Sequence, residues 1–333
     1  MMKRIYYVLL LVCCSLSCYA RKPEKSPVVL AYVTSWSTVI PNPRVVTHIN
    51  YAFGHVTDSF NGVRIDNEDR LKEIVGLKKQ NPTLKVLLSI GGWGSGRFSE
   101  MAASPENRKS FAADCKRVVT QFKLDGIDID WEYPTSNAAD ISAAPDDTKN
   151  YTLLMQDIRK AIGKKQLLTL ASVATGQYID FAAIEPTVDF VNIMTYDIAR
   201  PPYHHASLFR SDKTETVSCE EAVAAHVKAG IPIGRLVLGI PFYGHGTEAI
   251  QYCNYKDIIK LEGFTRQWDE VAKVPYLTDA NGNMVCTYED ATSIAEKCRY
   301  LNSQGMLGAM YWDYDGDDAE GTLQRAVYNG VMK

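Results

Sequence analysis

The sequence predicts an α/β fold, a (β/α)8 TIM barrel with a short insertion between its seventh and eighth strands. Apolar runs of strand length alternate along the chain with segments of helical periodicity, which is typical of parallel βα units. Eight such runs fit into 333 residues, a length that suits one barrel of this kind. The alternative is a doubly wound open sheet, but the glycine-rich run 92–96 lacks the clean helix and the acidic ribose partner of a phosphate-binding turn.

Eight segments are predicted to be the strands of the barrel. Each is an apolar run of the length that strands usually have. Parallel strands of this kind alternate with helices that cover the outside of the closed sheet. The predicted strands cover residues 28–33, 47–54, 85–92, 124–132, 167–173, 189–196, 236–243 and 305–312.

Three helices between these strands carry clear end signals. Ser104 and Pro105 have the residue types of a cap and a first helical position, so they predict a helix that runs to about residue 122. Apolar residues three and four apart over 151–162 predict a second helix with one buried face. Ser218 and Glu221 form a capping-box pattern that predicts the start of a third.

The segment between the seventh and eighth predicted strands is too long for a simple βα connection. Residues 246–289 are predicted to be a short insertion, with a helix near 257–261 and a hairpin across 280–283. A helix near 290–302 is expected to be the eighth of the barrel. No repeat or low-complexity run divides the chain, so we expect residues 21–333 to form a single domain.

The first twenty residues have the pattern of a secretory signal peptide. Lys3 and Arg4 precede an apolar stretch that is too short to span a bilayer as a helix, and small residues end at Ala20. We therefore expect residues 1–20 to be removed and the protein to be secreted, periplasmic or at the cell surface. A lipoprotein acylated at Cys18 is the alternative. Loss of the segment would change the net charge from −3 to −5, which does not favour a nucleic-acid partner.

The remaining cysteines and the histidines give no sign of a structural framework or a metal centre. Five scattered cysteines outside the leader allow at most two disulfides, and no CxxC pair is present. The six histidines lack HExxH or other common ligand spacing, so neither a metal nor another cofactor is predicted. We expect a monomer.

The stretch 124–134, LDGIDIDWEYP, is the strongest candidate for a chemical role. Side chains alternate along a strand, so Asp128, Asp130 and Glu132 share one face while apolar residues share the other. Burial and mutual repulsion would raise the pKa of these carboxyls and keep at least one protonated near neutral pH, as a general acid requires. The alternatives are a solvated acidic strand and a calcium site, although no EF-hand spacing is present.

Aromatic residues recur where the predicted strands end. In a barrel these ends converge on one cleft, where rings can stack on the apolar faces of sugars. Tyr133 adds a further ring next to the acidic strand. The other strand-end candidates are Tyr32, Trp36, Phe53, Trp93, Met194, Tyr196, Asp197, Tyr243, His245 and Trp312.

Four motifs resemble one known enzyme family. The run 125–134 resembles, residue for residue, the DxxDxDxE signature of the family 18 glycoside hydrolases, the chitinases and their relatives. Residues 89–92 (SIGG) are similar to the SxGG motif of that family, residues 194–197 (MTYD) to its MxYD motif, and Trp312 to its tryptophan floor. The resemblance extends over nearly the whole chain after the leader.

The resemblance implies a role for each matching residue. Glu132 would be the general acid and then the base, and Asp130 would orient the acetamido group of the substrate and share a proton with Asp128. Tyr196 would bind the acetamido oxygen and Asp197 the sugar. The substrate-binding set is expected to be Tyr32, Phe53, Trp93, Tyr133, Met194, Asp197, Tyr243, His245 and Trp312.

The resemblance also implies a reaction and a substrate class. The family uses substrate assistance, in which the N-acetyl carbonyl attacks the anomeric carbon with net retention. A polysaccharide or oligosaccharide with N-acetylglucosamine at the scissile bond is therefore expected. An endo-β-N-acetylglucosaminidase of the N-glycan core and a non-catalytic lectin are the alternatives. His245 departs from the family pattern, because many of its chitinases have arginine at this position of the seventh strand.

Overall fold

A computed structural model describes residues 26–248 and 250–333. The signal peptide predicted over 1–20, with Cys18, lies outside the described residues. None of the helices in the described ranges is long and apolar enough to cross a membrane.

The described residues form fourteen strands in two sheets. The larger sheet contains eight parallel strands that close into a barrel, since the first of them pairs with both the second and the last. The strands are β1 (Val28–Thr34), β2 (His48–Val56), β3 (Val63–Ile65), β4 (Lys85–Gly91), β5 (Gly126–Asp130), β6 (Leu167–Val173), β7 (Phe190–Met194), β8 (Leu236–Pro241), β9 (Tyr243–Gly246), β10 (Tyr252–Asn254), β11 (Thr265–Asp269), β12 (Val274–Thr278), β13 (Met284–Thr287) and β14 (Gly308–Trp312).

The predicted barrel is confirmed, and each of its eight strands coincides with a predicted run, although β1 ends one residue later and β2 two residues later than predicted. Around the barrel the order is β1, β14, β8, β7, β6, β5, β4 and β2, and β1 pairs with β2 to complete the ring. The short strand β3 adds to β2 as an antiparallel neighbour and was not predicted. The acidic strand β5 ends at Asp130, so Glu132 lies two residues beyond its end.

Helices cover the outside of the barrel. They are α1 (Glu68–Gly76), α2 (Phe98–Ala103), α3 (Pro105–Phe122), α4 (Asp147–Ile162), α5 (Phe181–Ile184), α6 (Cys219–Lys228), α7 (Tyr255–Ile258), α8 (Ala291–Gln304) and α9 (Thr322–Val331). The predicted caps are confirmed: the Ser104 hydroxyl accepts the backbone N–H of Asn107, and Ser218 with Glu221 forms a capping box. The helix expected as the eighth of the barrel is α8, but it precedes β14. The last helix is α9, which was not predicted.

A second sheet lies within the segment between β8 and α8. It has five antiparallel strands in the order β10, β9, β13, β12 and β11. The predicted hairpin is the β12–β13 pair, and the predicted helix corresponds to α7. The other strands of this sheet were not predicted because β9 pairs with β13 from about forty residues away, which leaves little local signal.

The alternation along the barrel strands sorts side chains into two layers. On β1, Val29, Ala31 and Val33 belong to the large apolar core between strands and helices, while Leu30 and Tyr32 belong to a cluster inside the barrel. The same holds on β5, whose apolar face faces the helices as expected. Trp131 just after β5 stacks on Phe98, with ring centroids 5.3 Å apart. The carboxylates of β5 therefore face inward.

The cysteines after the leader are free thiols. The described residues contain no disulfide, so neither of the two bridges that the sequence allowed is formed among them. Four of these cysteines are buried: Cys115, Cys219, Cys286 and Cys298.

Gly91 at the end of β4 sets how closely β4 approaches β5. Its φ is +132°, and a Cβ atom there would lie 1.9 Å from the carbonyl oxygen of Asp130. The next residue, Gly92, donates its backbone N–H to that same carbonyl at 2.9 Å. This contact explains the paired glycines of the SIGG motif, because only glycine allows such an approach at this φ.

We predict that Gly91→Ala lowers the free energy of unfolding by about 3 kcal/mol or more, through backbone strain and overlap with Asp130. Chemical denaturation of the two proteins measures this difference. Gly76→Ala is the matched control, since Gly76 ends α1 with a φ of −59° and open space around its Cβ position. A Gly91→Ala protein as stable as the wild type would contradict the prediction.

Candidate active site

Asp128 lies at the centre of the barrel and is fully buried. Its Oδ2 accepts hydrogen bonds from the Tyr32 hydroxyl at 3.0 Å and the Ser89 hydroxyl at 2.8 Å. Its Oδ1 accepts from the Thr169 hydroxyl at 2.5 Å and the Asn192 amide at 3.2 Å. These donors come from β1, β4, β6 and β7, so one carboxylate connects five strands of the barrel.

Asp130 is one step further along the inward face and is only 4% exposed. Its Oδ1 has no hydrogen-bond partner among the described residues. Burial raises its pKa well above the ordinary value, and the charges of Glu132 and Asp128 raise it further. The pKa of Asp128 is raised less decisively, because burial raises it while the four donors lower it. The four hydrogen bonds therefore oppose protonation of Asp128.

Glu132 lies beyond the end of β5, at the mouth of the barrel. Burial raises its pKa to about 7, and the negative charge of Asp197 contributes to the shift. A carboxyl with this pKa is protonated in a large share of molecules at neutral pH and can also lose its proton there. These are the properties of a general acid that later serves as a base.

Two adjoining pockets meet at Glu132. One, of about 160 Å³, is lined by aromatic rings and by Asp130, and the other, of about 190 Å³, is lined by Tyr133 and the chain after β6 and β7. Glu132, Tyr196 and Asp197 line both pockets. A larger cavity of about 530 Å³ lies at the opposite end of the barrel and contains none of the predicted site residues.

Aromatic rings form the floor and walls of the smaller pocket. Trp312 at the end of β14 stacks on Phe53, with centroids 5.6 Å apart and planes at 22°, and it lies 5.6 Å from Tyr32. Trp93 is 63% exposed at the rim, so its face is available to a ligand. Trp36 is likewise exposed, with its ring 6.4 Å from Phe53.

Asp197 follows β7 and is held by two donors. The Tyr243 hydroxyl and Nε2 of His245 donate to its Oδ1 at 2.6 Å and 2.5 Å. Partial desolvation raises its pKa, but the hydrogen bond from His245 and that from Tyr243 help to bring the pKa below its ordinary value. Asp197 is therefore an anion at the junction of the two pockets, with half of its side chain exposed.

The remaining predicted residues lie around the same cleft. Tyr133 stacks on Tyr178 with centroids 5.3 Å apart, and Met194 lines both pockets. The Tyr196 hydroxyl has a weak contact with the sulfur of Met310 at 3.8 Å. Burial raises the pKa of Tyr196 well above its ordinary value, so this phenol remains a proton donor. The structure thus brings the whole predicted set to one end of the barrel.

Some residues of the site were not singled out from the sequence. Thr169 and Asn192 are two of the four donors to Asp128, and each is a polar residue within a mostly apolar strand, which is a signal that the sequence offers. Tyr178 and His205 lie on loops and became apparent only from the structure. His205 is 0% exposed, and its ring centroid is 5.0 Å from that of His245.

The sequence matches the family model described as Glycosyl hydrolases family 18 over residues 28–317. It is 36% identical to chitinase A1 from Niallia circulans over 307 residues, which cover 77% of this chain and 44% of that protein. It is 27% identical to chitotriosidase-1 from Mus musculus, over 88% of this chain and 74% of the relative. The chain thus spans less than half the length of chitinase A1.

Solved structures agree with this match. A family 18 N-acetylglucosaminidase from Paenibacillus barengoltzii superposes with a TM-score of 0.84 at 34% identity, over 92% of this chain and all of that chain. The Group IV chitinase of Ostrinia furnacalis gives a TM-score of 0.82 at 27% identity, over 92% and 98% of the two chains.

We predict that Glu132 makes the stability of the fold depend on pH. Its pKa is about 7 in the folded state against an ordinary 4.5, so its stabilising contribution is complete below about pH 4.5 and is lost as the pH rises through about 7. Glutamine cannot ionise. Glu132→Gln should therefore resist denaturant better than the wild type at about pH 8, and no better at about pH 4. Equal denaturation midpoints at the higher pH would count against the raised pKa.

Proposed function

The chain belongs to the glycosyl hydrolases of family 18, and on that basis we propose that it cleaves β-1,4 bonds next to N-acetylglucosamine in chitin or chito-oligosaccharides. The observation that carries the proposal is the position of Glu132, a carboxyl with a pKa of about 7 where two pockets meet. A glycosidic bond that bridges the pockets would place its oxygen beside this acid. Sugar rings on either side would then occupy the aromatic pocket and the pocket near Tyr133.

In the proposed reaction Glu132 donates its proton to the glycosidic oxygen, and the bond from that oxygen to the anomeric carbon breaks. The carbonyl oxygen of the substrate's own acetamido group bonds to the anomeric carbon, which gives an oxazolinium intermediate. Glu132, now a carboxylate, takes a proton from water. The water oxygen bonds to the anomeric carbon, and the bond from that carbon to the acetamido oxygen breaks. The oxazolinium ring opens, and the anomeric configuration is retained overall.

Three features of the site support substrate assistance. Asp130 lines the aromatic pocket and its Oδ1 has no hydrogen-bond partner among the described residues, so this carboxyl can bind the acetamido N–H. Among the described residues the Tyr196 hydroxyl contacts only the sulfur of Met310, so it can donate to the acetamido oxygen and hold it near the anomeric carbon. A nucleophilic carboxylate of the common retaining scheme would have to face the acid across the sugar. Asp128 and Asp130 instead lie on β5, and Glu132 lies two residues beyond the end of the same strand.

Asp197 and its donors complete the proposed sugar site. Asp197 is an anion with half of its side chain exposed, so it can accept a hydrogen bond from a sugar hydroxyl while Tyr243 and His245 hold its other side. Proton sharing between Asp128 and Asp130 remains part of the proposal. The four donors to Asp128 favour its charged form, and therefore favour the proton on Asp130.

We also propose the organisation and location that the sequence indicated. Residues 21–333 would form one catalytic domain, with 246–289 as its short insertion, and the protein would act as a monomer. Residues 1–20 would direct secretion, with lipidation of Cys18 as the alternative route to the cell surface. The acidic net charge of the chain suits a polysaccharide partner better than nucleic acid.

The second candidate is an N-acetylglucosaminidase, including an enzyme that cuts the chitobiose core of N-glycans. The similarity to the Paenibacillus N-acetylglucosaminidase favours it, because that relative is matched over its entire chain. A lectin without turnover is disfavoured, since Glu132 and both aspartates are present and the two aspartates are buried. Hydrolysis of chitotetraose, of a chromogenic N-acetylglucosaminide and of a high-mannose glycopeptide separates these functions by their products.

We predict that the first product of chitotetraose hydrolysis has the β configuration, because the acetamido carbonyl and then water attack in succession. Nuclear magnetic resonance of the reducing ends at early times measures the anomer before mutarotation. An initial α product would contradict the retaining mechanism and leave the bond specificity standing.

We predict that Glu132→Gln lowers kcat by at least about 10²–10³-fold while oligosaccharide affinity changes little, because glutamine keeps the shape but cannot donate a proton. Steady-state hydrolysis and calorimetric binding of chitotetraose measure the two effects. Glu270→Gln is the control, since Glu270 is an exposed residue between β11 and β12. Unchanged turnover in Glu132→Gln would refute the assignment of the acid.

A further inference from the structure

A cluster of possible metal ligands lies beside the proposed sugar site. Asp197, His205 and His245 each offer a ligand atom, and these atoms all lie within 4.8 Å of one another. Asp197 and His205 lie in the loop that follows β7, whereas His245 lies on β9. The spacing in sequence matches no common metal motif, so the cluster is a product of the fold.

His205 is the least explained member of this cluster. It is 0% exposed, and neither ring nitrogen has a hydrogen-bond partner among the described residues. Its neighbour His204 differs: its Nε2 bonds Asp269 at 3.1 Å, and its Nδ1 is 3.4 Å from the hydroxyl of Thr287. A buried polar ring without a partner is costly, and such a group calls for a role.

We propose that Asp197, His205 and His245 bind a divalent transition-metal ion, with Zn²⁺ as the best fit. Two imidazoles and one carboxylate are the donor set of many zinc sites. Zinc ligand distances of about 2.0–2.2 Å need ligand atoms about 3.3 Å apart, so small side-chain rotations would draw the cluster together. Asp197 is half exposed on the cleft, which leaves a fourth position open to water.

A metal at this position would oppose the proposed hydrolysis. This consequence rests on the proposed function, in which Asp197 binds the sugar. The ion would take the carboxylate of Asp197 and pull His245 away from its present hydrogen bond. Substrate and metal should therefore compete, and Zn²⁺ would act as an inhibitor of the enzyme.

Calorimetric titration of ZnCl₂ into the untagged, chelator-treated protein tests the site directly. We expect one ion per chain, with His205→Phe and Asp197→Asn each weakening the affinity by at least about tenfold. Phenylalanine keeps the aromatic packing of His205 against Tyr243. The matched control is His226→Phe, because His226 is equally buried but both of its ring nitrogens have hydrogen-bond partners.

Zinc binding that is absent, or unchanged in both His205→Phe and Asp197→Asn, would overturn the site. Circular dichroism of each variant checks that lost binding is not lost folding. Hydrolysis of chitotetraose by the metal-free protein tests the proposed function separately, since failure there leaves the zinc titration unaffected. Zn²⁺ that binds without raising the KM for chitotetraose would overturn the competition.

Discussion

The buried carboxylate of Asp128 is the constraint on which the site depends. A charge inside a barrel is tolerated only when hydrogen bonds replace the water that it loses, and Asp128 receives four from β1, β4, β6 and β7. Ser89 and Thr169 lie directly opposite it in the strand pairing. Burial raises the pKa of Asp130, and the charge of Asp128 so stabilised raises it further. The buried charge of Asp128 thus affects the protonation of Asp130, the next residue on the inward face of β5.

The second sheet is part of the same framework, because it positions the residues around Asp197. His245 lies on β9, and β13 carries Thr287, whose hydroxyl accepts the backbone N–H of His205 at 3.3 Å. Behind this loop the Lys297 ammonium is fully buried and donates to the carbonyl of Ala206 at 2.7 Å and to Glu289 at 2.5 Å. The loop after β7 is therefore fixed from both sides, and the side chains at this edge of the cleft are held by structure rather than by the substrate.

Most of the barrel could be predicted because its signals are local. Alternation along the predicted strand 124–132 placed three carboxyls on one side, and residues such as Ser104 and Ser218 marked helix starts. The antiparallel sheet could not be predicted in the same way, since β9 owes its strand to a partner distant in sequence. The site residues differ in the same way. Those at strand ends could be predicted from the strand pattern. His205 could not, because it is adjacent to His204 and nothing local indicates which of the two rings faces Asp197.

His245 shows how a single departure changes the physical character of a site. An arginine at this position, as in many chitinases that the chain resembles, would be permanently charged and could only donate hydrogen bonds. An imidazole can donate through one ring nitrogen or offer a lone pair from it, and a second imidazole lies 5.0 Å from that of His245. A partner of Asp197 that could only donate hydrogen bonds is thus replaced by one that can also bind a metal ion. In our proposals Asp197 can then bind either a sugar hydroxyl or a cation. The affinity of this edge of the cleft for sugar would therefore depend on the metal ions in solution as well as on the fold.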